Sequence, residues 1–268
     1  MIDMKIREVM CKTALSPSRL PGLTYSLNPY KGCQHNCAYC YVPNVLKISR
    51  KLWGSFVDIK INIPLVLSKE LKKKKPGVVG ISTVTDPYQP VENKYKLTRY
   101  CLEQLLKHDF PVSIQTKSSL VLRDLDVLSR FSDAEVILSI ATLNDDERQL
   151  LEPDSSSIEK RLYALKECAK AKIKTGVFFG PIYPTISIDD IPKMIDTFIE
   201  SGVSKIWIDS LNLKPGISEN VKQTISDNKE MYTVFLKNVF EDKEYYKSLS
   251  EEILKIGKER NIKIIDVF

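Results

Sequence analysis

Short apolar runs alternate with amphipathic stretches along most of the chain. Six of these runs have the length and the flanking turn residues of strands, and they lie at 22–30, 78–84, 112–116, 135–140, 174–179 and 204–209. Between them, apolar residues recur at helical spacing, most regularly over 97–106, 158–169 and 191–199. This order predicts strands and helices in alternation.

Such alternation is typical of parallel βαβ units. Six units are fewer than the eight of a closed barrel, so we expect an α/β fold that is a partial (β/α)6 TIM-like barrel. We expect an N-terminal segment at 1–23, the barrel core at 24–215, and a helical C-terminal extension at 216–268 packed on the barrel. Its last stretch, 262–268, is apolar enough to form a terminal strand.

Two local features carry finer expectations. Helical spacing of apolar residues continues over 120–131, which predicts a further helix there. Asp189 and Asp190 stand where N-caps are favoured, just ahead of Pro192, and a proline is tolerated in the first turn of a helix.

Composition narrows the class of protein. The chain has 268 residues, of which 43% are hydrophobic, and this fraction supports a folded core and excludes a largely disordered chain. No run approaches the roughly 20 apolar residues of a membrane span, and the N-terminus lacks the apolar region of a secretory signal. We therefore expect a cytoplasmic protein without a membrane partner. The net charge of +6 is compatible with a nucleic-acid partner without requiring one.

The cysteines carry more information than the charge. Three of the six, Cys33, Cys37 and Cys40, form a C-x3-C-x2-C cluster, and reduced thiols this close together can converge on zinc or on an iron–sulfur cluster. A structural zinc site needs a fourth ligand, and His35 lies awkwardly close in sequence to two of the cysteines. We interpret Cys101 and Cys168 as core thiols, because they fall within predicted amphipathic helices.

The cluster lies in the segment NPYKGCQHNCAYCY, with the aromatic Tyr39 just before the last cysteine. This pattern resembles the signature of the radical S-adenosylmethionine superfamily, and in particular its spore photoproduct lyase-like branch. The resemblance spans roughly residues 24–210. It continues through the blocks TDPYQPVE (85–92), LTR (97–99), TKS (116–118), RDLDVL (123–128), LEP (151–153) and GPIYP (180–184).

The resemblance implies a cofactor set and a reaction. The three cysteines would hold a [4Fe-4S] cluster whose open iron is chelated by S-adenosyl-L-methionine. An external one-electron donor of the flavodoxin or ferredoxin type would reduce the cluster. Cleavage of the sulfonium would then yield a 5′-deoxyadenosyl radical that abstracts hydrogen from a substrate. The protein would supply orientation and exclusion of water.

The same resemblance implies site residues. The residues expected to contact S-adenosylmethionine are Tyr39, Thr83, Thr85, Asp86, Lys117 and Ser139. Tyr39 would pack near the adenine, and Lys117 would face the methionyl carboxylate, as its charge allows. Tyr41 is a candidate for stacking or radical relay. Ordinary packing remains open for both tyrosines, and Asp86 with Glu92 could instead orient Arg99 as a structural group.

One departure from the photoproduct lyase pattern bears on the reaction. Val84 occupies the position of the hydrogen-donating cysteine of those lyases, and valine has no transferable thiol hydrogen. Photoproduct lyase-like repair or modification of nucleic acid is therefore an alternative function and not the leading one. A small metabolite or a protein side chain remains open as substrate. A non-catalytic iron–sulfur protein is the alternative from outside the enzymes.

Overall fold

An open, mostly parallel β-sheet organises the chain, in a computed structural model that describes residues 4–267. The strands are β1 (Lys5–Val9), β2 (Leu15–Pro17), β3 (Tyr25–Leu27), β4 (Tyr30–Lys31), β5 (Phe56–Lys60), β6 (Val79–Ile81), β7 (Val112–Thr116), β8 (Ala134–Ser139), β9 (Lys174–Phe179), β10 (Lys205–Ile208) and β11 (Lys263–Asp266). The main sheet has eight strands in the order β11-β10-β9-β8-β7-β6-β3-β2.

Helices follow most of these strands. They are α1 (Val42–Leu46), α2 (Ile63–Leu71), α3 (Glu92–Tyr95), α4 (Leu97–Leu106), α5 (Leu125–Leu128), α6 (Asp145–Leu151), α7 (Ile158–Lys170), α8 (Ile191–Glu200), α9 (Ile217–Ile225), α10 (Lys229–Leu236) and α11 (Tyr245–Glu259). Shorter 3-10 turns lie at Arg50–Leu52, Ser119–Asp124 and Ile188–Asp190, and a π turn lies at Lys237–Glu241.

The predicted partial barrel is confirmed. Every pairing from β3 through β6 to β11 is parallel, whereas β2 joins β3 in antiparallel fashion. The sheet ends at β11 on one side and at β2 on the other, so it curves without closing. The terminal strand β11 extends the parallel order beyond β10.

The helices cover the outer face of the sheet. On β7, Val112, Ile114 and Thr116 are buried, while Ser113 and Gln115 between them are more exposed, as the two-residue period of a strand requires. The apolar stripes of α4 and α8 are buried against this layer. Each fully buried aliphatic side chain contributes about 1.5–3 kcal/mol relative to an exposed one. The core thiols Cys101 and Cys168 lie within this layer, as expected.

The first predicted strand is divided between two sheets. β3 belongs to the main sheet, whereas β4 pairs with β5 in a three-stranded sheet of order β1-β5-β4. The break falls at Asn28 and Pro29, where the Asn28 side chain accepts a hydrogen bond from Val84 N at 3.1 Å. Proline lacks an N–H for a ladder, so the chain leaves the main sheet here. The small sheet was not predicted, because β1 is largely exposed and its sequence shows no alternation.

Two further local expectations were met only in part. Over 120–131 the chain forms a 3-10 turn followed by the single-turn helix α5, in which Asp124 turns inward to bind two arginines. Asp190 occupies the N-cap position of α8 with Pro192 in the first turn, as predicted, whereas Asp189 lies inside the preceding 3-10 turn. The carboxylate of Asp190 accepts from Ser187 N and Oγ in a capping box of that turn and makes no capping hydrogen bond to α8. Within residues 4–267, the longest apolar helices fall short of what a membrane crossing requires.

Candidate functional site

The cysteine loop lies at the carboxyl ends of the parallel strands. It follows β4, ends at the start of α1, and passes above the ends of β6 and β7, where Thr85, Asp86 and Lys117 stand. This is the edge of an α/β sheet at which ligand sites form, because the loops there are free to vary over a fixed scaffold. The structure thus brings together the predicted cysteines and the predicted residues of two strand ends.

The loop begins at a turn that only glycine can make. Gly32 has φ +91°, and a Cβ there would lie 2.3 Å from the carbonyl oxygen of Phe56. Positive φ is accessible to glycine at little cost. The close approach to β5 fixes the direction in which the chain enters Cys33.

All three cluster cysteines are free thiols in a largely enclosed setting. Burial raises the pKa of Cys33 to about 12, raises that of Cys37 well above its ordinary value, and raises that of Cys40. The Lys117 ammonium opposes this shift at Cys37 and Cys40. Each thiol therefore stays protonated until a metal displaces its proton, since metal binding and thiol deprotonation are coupled.

A small apolar cluster supports the cysteine loop. Cys33 packs with Val42 and Trp53, which are both buried, and Val84 is packed against them. The position that carries the donor cysteine in the photoproduct lyase pattern is therefore an apolar contact of the cysteine loop in this chain. Such a setting limits solvent access to whatever the thiols hold.

Side-chain hydrogen bonds fix the cysteine loop to the chain segment after β6. Thr85 Oγ1 donates to Gly32 O at 2.6 Å, and the fully buried Gln89 side chain donates to Thr85 Oγ1 at 2.9 Å and accepts from Gln34 N at 2.9 Å. Gln34 Oε1 in turn accepts from Val91 N at 2.5 Å. A fully satisfied buried network of this kind rigidifies the backbone that carries it.

Asp86 ties the loop to the end of β7. Its carboxylate accepts from Thr116 Oγ1 at 2.7 Å, Lys117 N at 2.8 Å and Tyr88 N at 2.9 Å, and its Oδ2 lies 3.3 Å from His35 Nε2. Burial alone would raise the pKa of Asp86, but His35 and these donors lower it to about 2. Protein donors thus occupy both oxygens, which favours a positioning role for Asp86, and its predicted contact with S-adenosylmethionine stays a prediction.

A buried ion pair fixes the hydroxyl end of Tyr39. Its hydroxyl donates to Glu152, whose carboxylate is also bound by Arg161, and both members of that pair are fully buried. Arg161 also donates to Ser139 O at 2.7 Å and to Ser156 O at 2.9 Å. Burial would raise the pKa of Glu152, but Arg161 and Lys117 lower it, so the carboxylate is ionised.

Lys117 is a cation without a carboxylate partner at the rim, by which we mean the cysteine loop together with the carboxyl ends of the strands that it passes above. Its Nζ lies 5.7 Å from the centroid of the Tyr39 ring, and in the described part of the chain no carboxylate oxygen lies within the 4.0 Å of an ion pair. Burial would lower the pKa of Lys117, but Cys37, once it is ionised, and the Glu152 carboxylate raise it, so the ammonium stays charged at neutral pH. A charged, unpaired ammonium beside Cys37 is available for an anionic group.

The other predicted residues lie around this edge with weaker contacts. Thr83 accepts a long hydrogen bond of 3.4 Å from Asn28 Nδ2, and Ser139 accepts one of 3.3 Å from Gln115 Nε2. Tyr41 is 43% exposed at the start of α1, within electrostatic reach of Lys117 and Asp209. The structure brings all the predicted residues to one rim, and their contacts with cofactor remain predictions.

Sequence reasoning missed four contributors to this rim, which are Gln89, Glu152, Arg161 and Asp209. Gln89 and Glu152 lie inside the blocks TDPYQPVE and LEP that carried the resemblance, so a buried polar role was detectable there. Arg161 lies on the inner face of α7, where an arginine among buried residues is itself a signal. Asp209 directly follows β10, and burial raises its pKa to about 6 with a further contribution from Asp266.

The donor set fits an iron–sulfur cluster better than a closed metal site. Cys33, Cys37 and Cys40 supply thiol ligands, with Lys117 and Arg50 nearby to offset thiolate charge. In residues 4–267, no three His, Cys, Asp or Glu side chains already have the arrangement of a single-ion site. A four-iron cluster is larger than one ion and holds its ligands farther apart. His35 is turned toward Asp86 and the carbonyl oxygen of Asp154, away from a ligand role.

A partial barrel with three clustered thiols at its strand ends is the arrangement of enzymes that carry an open cluster. The family model of the radical SAM superfamily matches residues 27–198, and the chain belongs to this superfamily. The predicted family is thereby confirmed, and with it the assignment as a radical SAM enzyme.

Similar proteins agree with this assignment. An uncharacterized protein of Methanocaldococcus jannaschii is 34% identical over 269 residues, covering 97% of this chain and 96% of that protein. An uncharacterized protein of Acidianus two-tailed virus is 30% identical over 204 residues, covering 70% of this chain and 67% of that protein. The radical SAM Nalpha-GlyT isomerase of Pseudomonas phage M6 is 25% identical over 183 residues, covering 67% of this chain and 38% of that protein.

Solved structures show the same fold. Spore photoproduct lyase complexed with dinucleoside spore photoproduct superposes with a TM-score of 0.72 at 16% identity, covering 98% of this chain and 82% of that one. SuiB of Streptococcus suis superposes with a TM-score of 0.57 at 13% identity, covering 99% of this chain and 49% of that one.

Proposed function

We propose that this chain uses a [4Fe-4S] cluster held by Cys33, Cys37 and Cys40 to cleave S-adenosyl-L-methionine reductively and to start hydrogen abstraction from a substrate. The observation that carries the proposal is the juxtaposition of three free thiols, one buried and two partly buried, with the unpaired ammonium of Lys117. When bound, the cluster would supply the electron and the open iron site that this cleavage requires.

The roles of the chain's own residues follow from their contacts. Lys117 would bind the methionyl carboxylate, since a buried charge-assisted contact needs an anion that the protein itself does not supply. Glu152 and Arg161 hold the Tyr39 ring in place beside it. Gln89, Thr85 and Asp86 keep the loop rigid, so that the thiols are preorganised. Thr83, Ser139 and Tyr41 would complete the contacts around the ligand.

The test is anaerobic reconstitution with iron and sulfide, reduction with dithionite, and chromatographic detection of 5′-deoxyadenosine. The proposal expects product from the wild type and none from Cys37→Ala. An intact cluster that releases no 5′-deoxyadenosine would instead support a non-catalytic iron–sulfur protein. One zinc per chain and no iron would exclude both cluster-based functions.

The second candidate function is the same radical chemistry with a component of nucleic acid as the substrate. It is supported by the dinucleoside photoproduct bound to a structure of the same fold, and by the net charge of +6. Val84 argues against lesion repair by thiol hydrogen donation, because it packs beside the cysteine loop as an apolar group. Affinity for DNA or RNA that falls steeply with salt would support this candidate. Absence of binding at low ionic strength would exclude it.

We also propose a cytoplasmic setting, in which the cluster thiols remain reduced. The division of the chain into a segment at 1–23, a core at 24–215 and an extension at 216–268 is proposed with it. Limited proteolysis that cuts near residue 215 and leaves the cluster bound would support this division.

A further inference from the structure

An exposed apolar and basic surface lies directly outside the cysteine loop. We call it the α1 face, and it consists of the exposed side chains within 41–52 and 213–215. Its apolar members are Tyr41, Val45, Leu52 and Leu213, which are 43%, 52%, 56% and 45% exposed. Exposed apolar side chains gathered in one patch are typical of interaction sites, whereas single ones are ordinary.

The charge of the α1 face has one sign. Lys47, Lys51 and Lys214 are exposed on it, and no aspartate or glutamate occurs in the segments 33–57 and 210–218. The chain as a whole has 34 acidic residues among 268, so these two neighbouring segments are unusual in having none. A basic patch of this kind attracts acidic partners and raises their rate of encounter.

The two segments of the face form one body with the cysteine loop. Asn44 Nδ2 donates to Pro215 O at 3.0 Å, and Arg50 Nη2 donates to Cys40 O at 2.5 Å and to Asn44 Oδ1 at 3.1 Å. Lys214 Nζ lies 6.0 Å from the Tyr41 ring centroid, which joins the second segment to the first. A partner seated on α1 would therefore be separated from Cys40 by little more than this helix and the turn that follows it.

We propose that the α1 face is the docking surface for an acidic protein that donates one electron to the site. The inference rests on the proposed function, because an external electron is needed only if Cys33, Cys37 and Cys40 hold a redox cluster. In this step the donor's reduced cofactor is oxidised by one electron and the cluster gains it, with no bond made or broken. Encounters for electron transfer use small interfaces, so a face built on one short helix and two neighbouring segments can serve them.

The face suits such a partner better than it suits the alternatives. A second copy of this chain placed on the same face would set lysines against lysines across a two-fold axis. Nucleic-acid interfaces are more polar than protein interfaces, and four large apolar side chains within the patch do not fit phosphate contacts. An acidic protein with apolar groups around its cofactor complements both properties of the face.

The experiment uses reconstituted full-length protein and an acidic flavodoxin as the probe. The test variant is Lys47→Glu/Lys51→Glu. Its matched control is Lys72→Glu/Lys73→Glu, which makes the same charge change at exposed lysines after α2, on the side of the sheet where the strands begin. A second variant, Lys47→Arg/Lys51→Arg, keeps the charge. The measurements are the dissociation constant for oxidised flavodoxin at low ionic strength, and 5′-deoxyadenosine formation driven by reduced flavodoxin or by dithionite.

The proposal expects flavodoxin binding about tenfold weaker in the Lys47→Glu/Lys51→Glu variant, because like charges now face each other. The flavodoxin-driven rate should fall by a similar factor while the dithionite-driven rate is unchanged. The control variant and the arginine variant should match the wild type in flavodoxin affinity and in the flavodoxin-driven rate. Wild-type affinity for flavodoxin in the Lys47→Glu/Lys51→Glu variant would overturn the docking surface. A wild type that makes no product even with dithionite would instead count against the proposed function, and the binding measurement would still test the surface.

Discussion

Two charge networks in this molecule, each built on a fully buried carboxylate, differ in how completely their charges are matched. The outer network lies behind the sheet, where Arg123 pairs with Glu92 at 2.6 Å and with Asp124 at 2.8 Å. Arg99 in turn pairs with Asp124 at 3.1 Å and with Asp126 at 2.7 Å. Each charged group there has a partner of opposite sign. The alternative in which Asp86 helps Glu92 to orient Arg99 is wrong for Asp86, because its carboxylate binds Tyr88, Thr116 and Lys117.

The rim network beneath the cysteine loop is matched only in part. Arg161 is paired with Glu152, and Tyr39 donates to the same carboxylate. The Lys117 ammonium is left without an ion pair among the residues that the structure describes, although it is partly buried. Leaving a buried charge unpaired is costly, and such a cost is typical of a site that awaits a ligand. Paired charges in the two networks thus stabilise the fold, whereas the unpaired ammonium of Lys117 is available to bind a ligand.

The largest expected effect comes from removing a cluster ligand. Cys37→Ala, like Cys33→Ala or Cys40→Ala, should lose the bound iron and all 5′-deoxyadenosine formation, because a cluster held by only three thiols cannot spare one. Cys101→Ala is the matched control, since it removes a buried thiol from the helix layer. It should lower stability by about 1–2 kcal/mol and leave the iron content unchanged. Full iron retention in any of the three loop variants would contradict the ligand assignment.

The second effect compares one carboxylate from each network. Glu152→Gln should lower the free energy of unfolding by about 3–5 kcal/mol at neutral pH, because it leaves Arg161 buried without its counter-charge. Glu92→Gln should cost less, since burial raises the pKa of Glu92 whereas Arg161 and Lys117 lower that of Glu152. Urea unfolding of both variants at pH 7 measures the two costs. Equal losses would mean that the networks do not differ as described.

The third effect concerns binding and not stability. Lys117→Met should weaken S-adenosylmethionine binding by about tenfold or more, which corresponds to the roughly 1.5–3 kcal/mol of a charge-assisted contact. Its unfolding free energy should change little, because no ion pair is lost. Arg123→Met should show the reverse, a large loss of stability with unchanged affinity in the fraction that remains folded. Equilibrium dialysis measures the affinity of both variants for S-adenosylmethionine, and urea unfolding measures their stability.

The smallest expected effect is the contribution of Asp209 to the pH dependence of the free energy of unfolding. Burial raises its folded pKa to about 6, above the unfolded value of roughly 3.9. Its contribution to stability is therefore fully present below about pH 4 and is lost as the pH rises through 6. Relative to the wild type, Asp209→Asn should gain stability between pH 4 and 7. The gain should be about 1 kcal/mol, discounted because Asp209 is partly exposed. A stability difference that stays constant over this range would contradict the shift.

The sequence was sufficient to predict the parallel strands and the cysteine ligands, because each rests on local information. Strand composition, helical spacing and the C-x3-C-x2-C motif are all contained in short stretches. Glu152 and Arg161 could not be paired with Tyr39 in this way, since that contact joins residues more than a hundred positions apart. The small sheet formed by β1, β5 and β4 was missed for a different reason. Its strand β1 is exposed and β4 has only two residues, so neither shows a clear period in the sequence.

The most direct test of the central claim asks what the unpaired ammonium of Lys117 binds. The measurement is the affinity of the reconstituted wild type and of Lys117→Met for S-adenosylmethionine and for its decarboxylated analogue, which lacks the methionyl carboxylate. We predict that the substitution costs about tenfold or more with S-adenosylmethionine and nothing with the analogue. Equal losses with both ligands, or no loss with either, would contradict the claim that Lys117 is kept unpaired for that carboxylate.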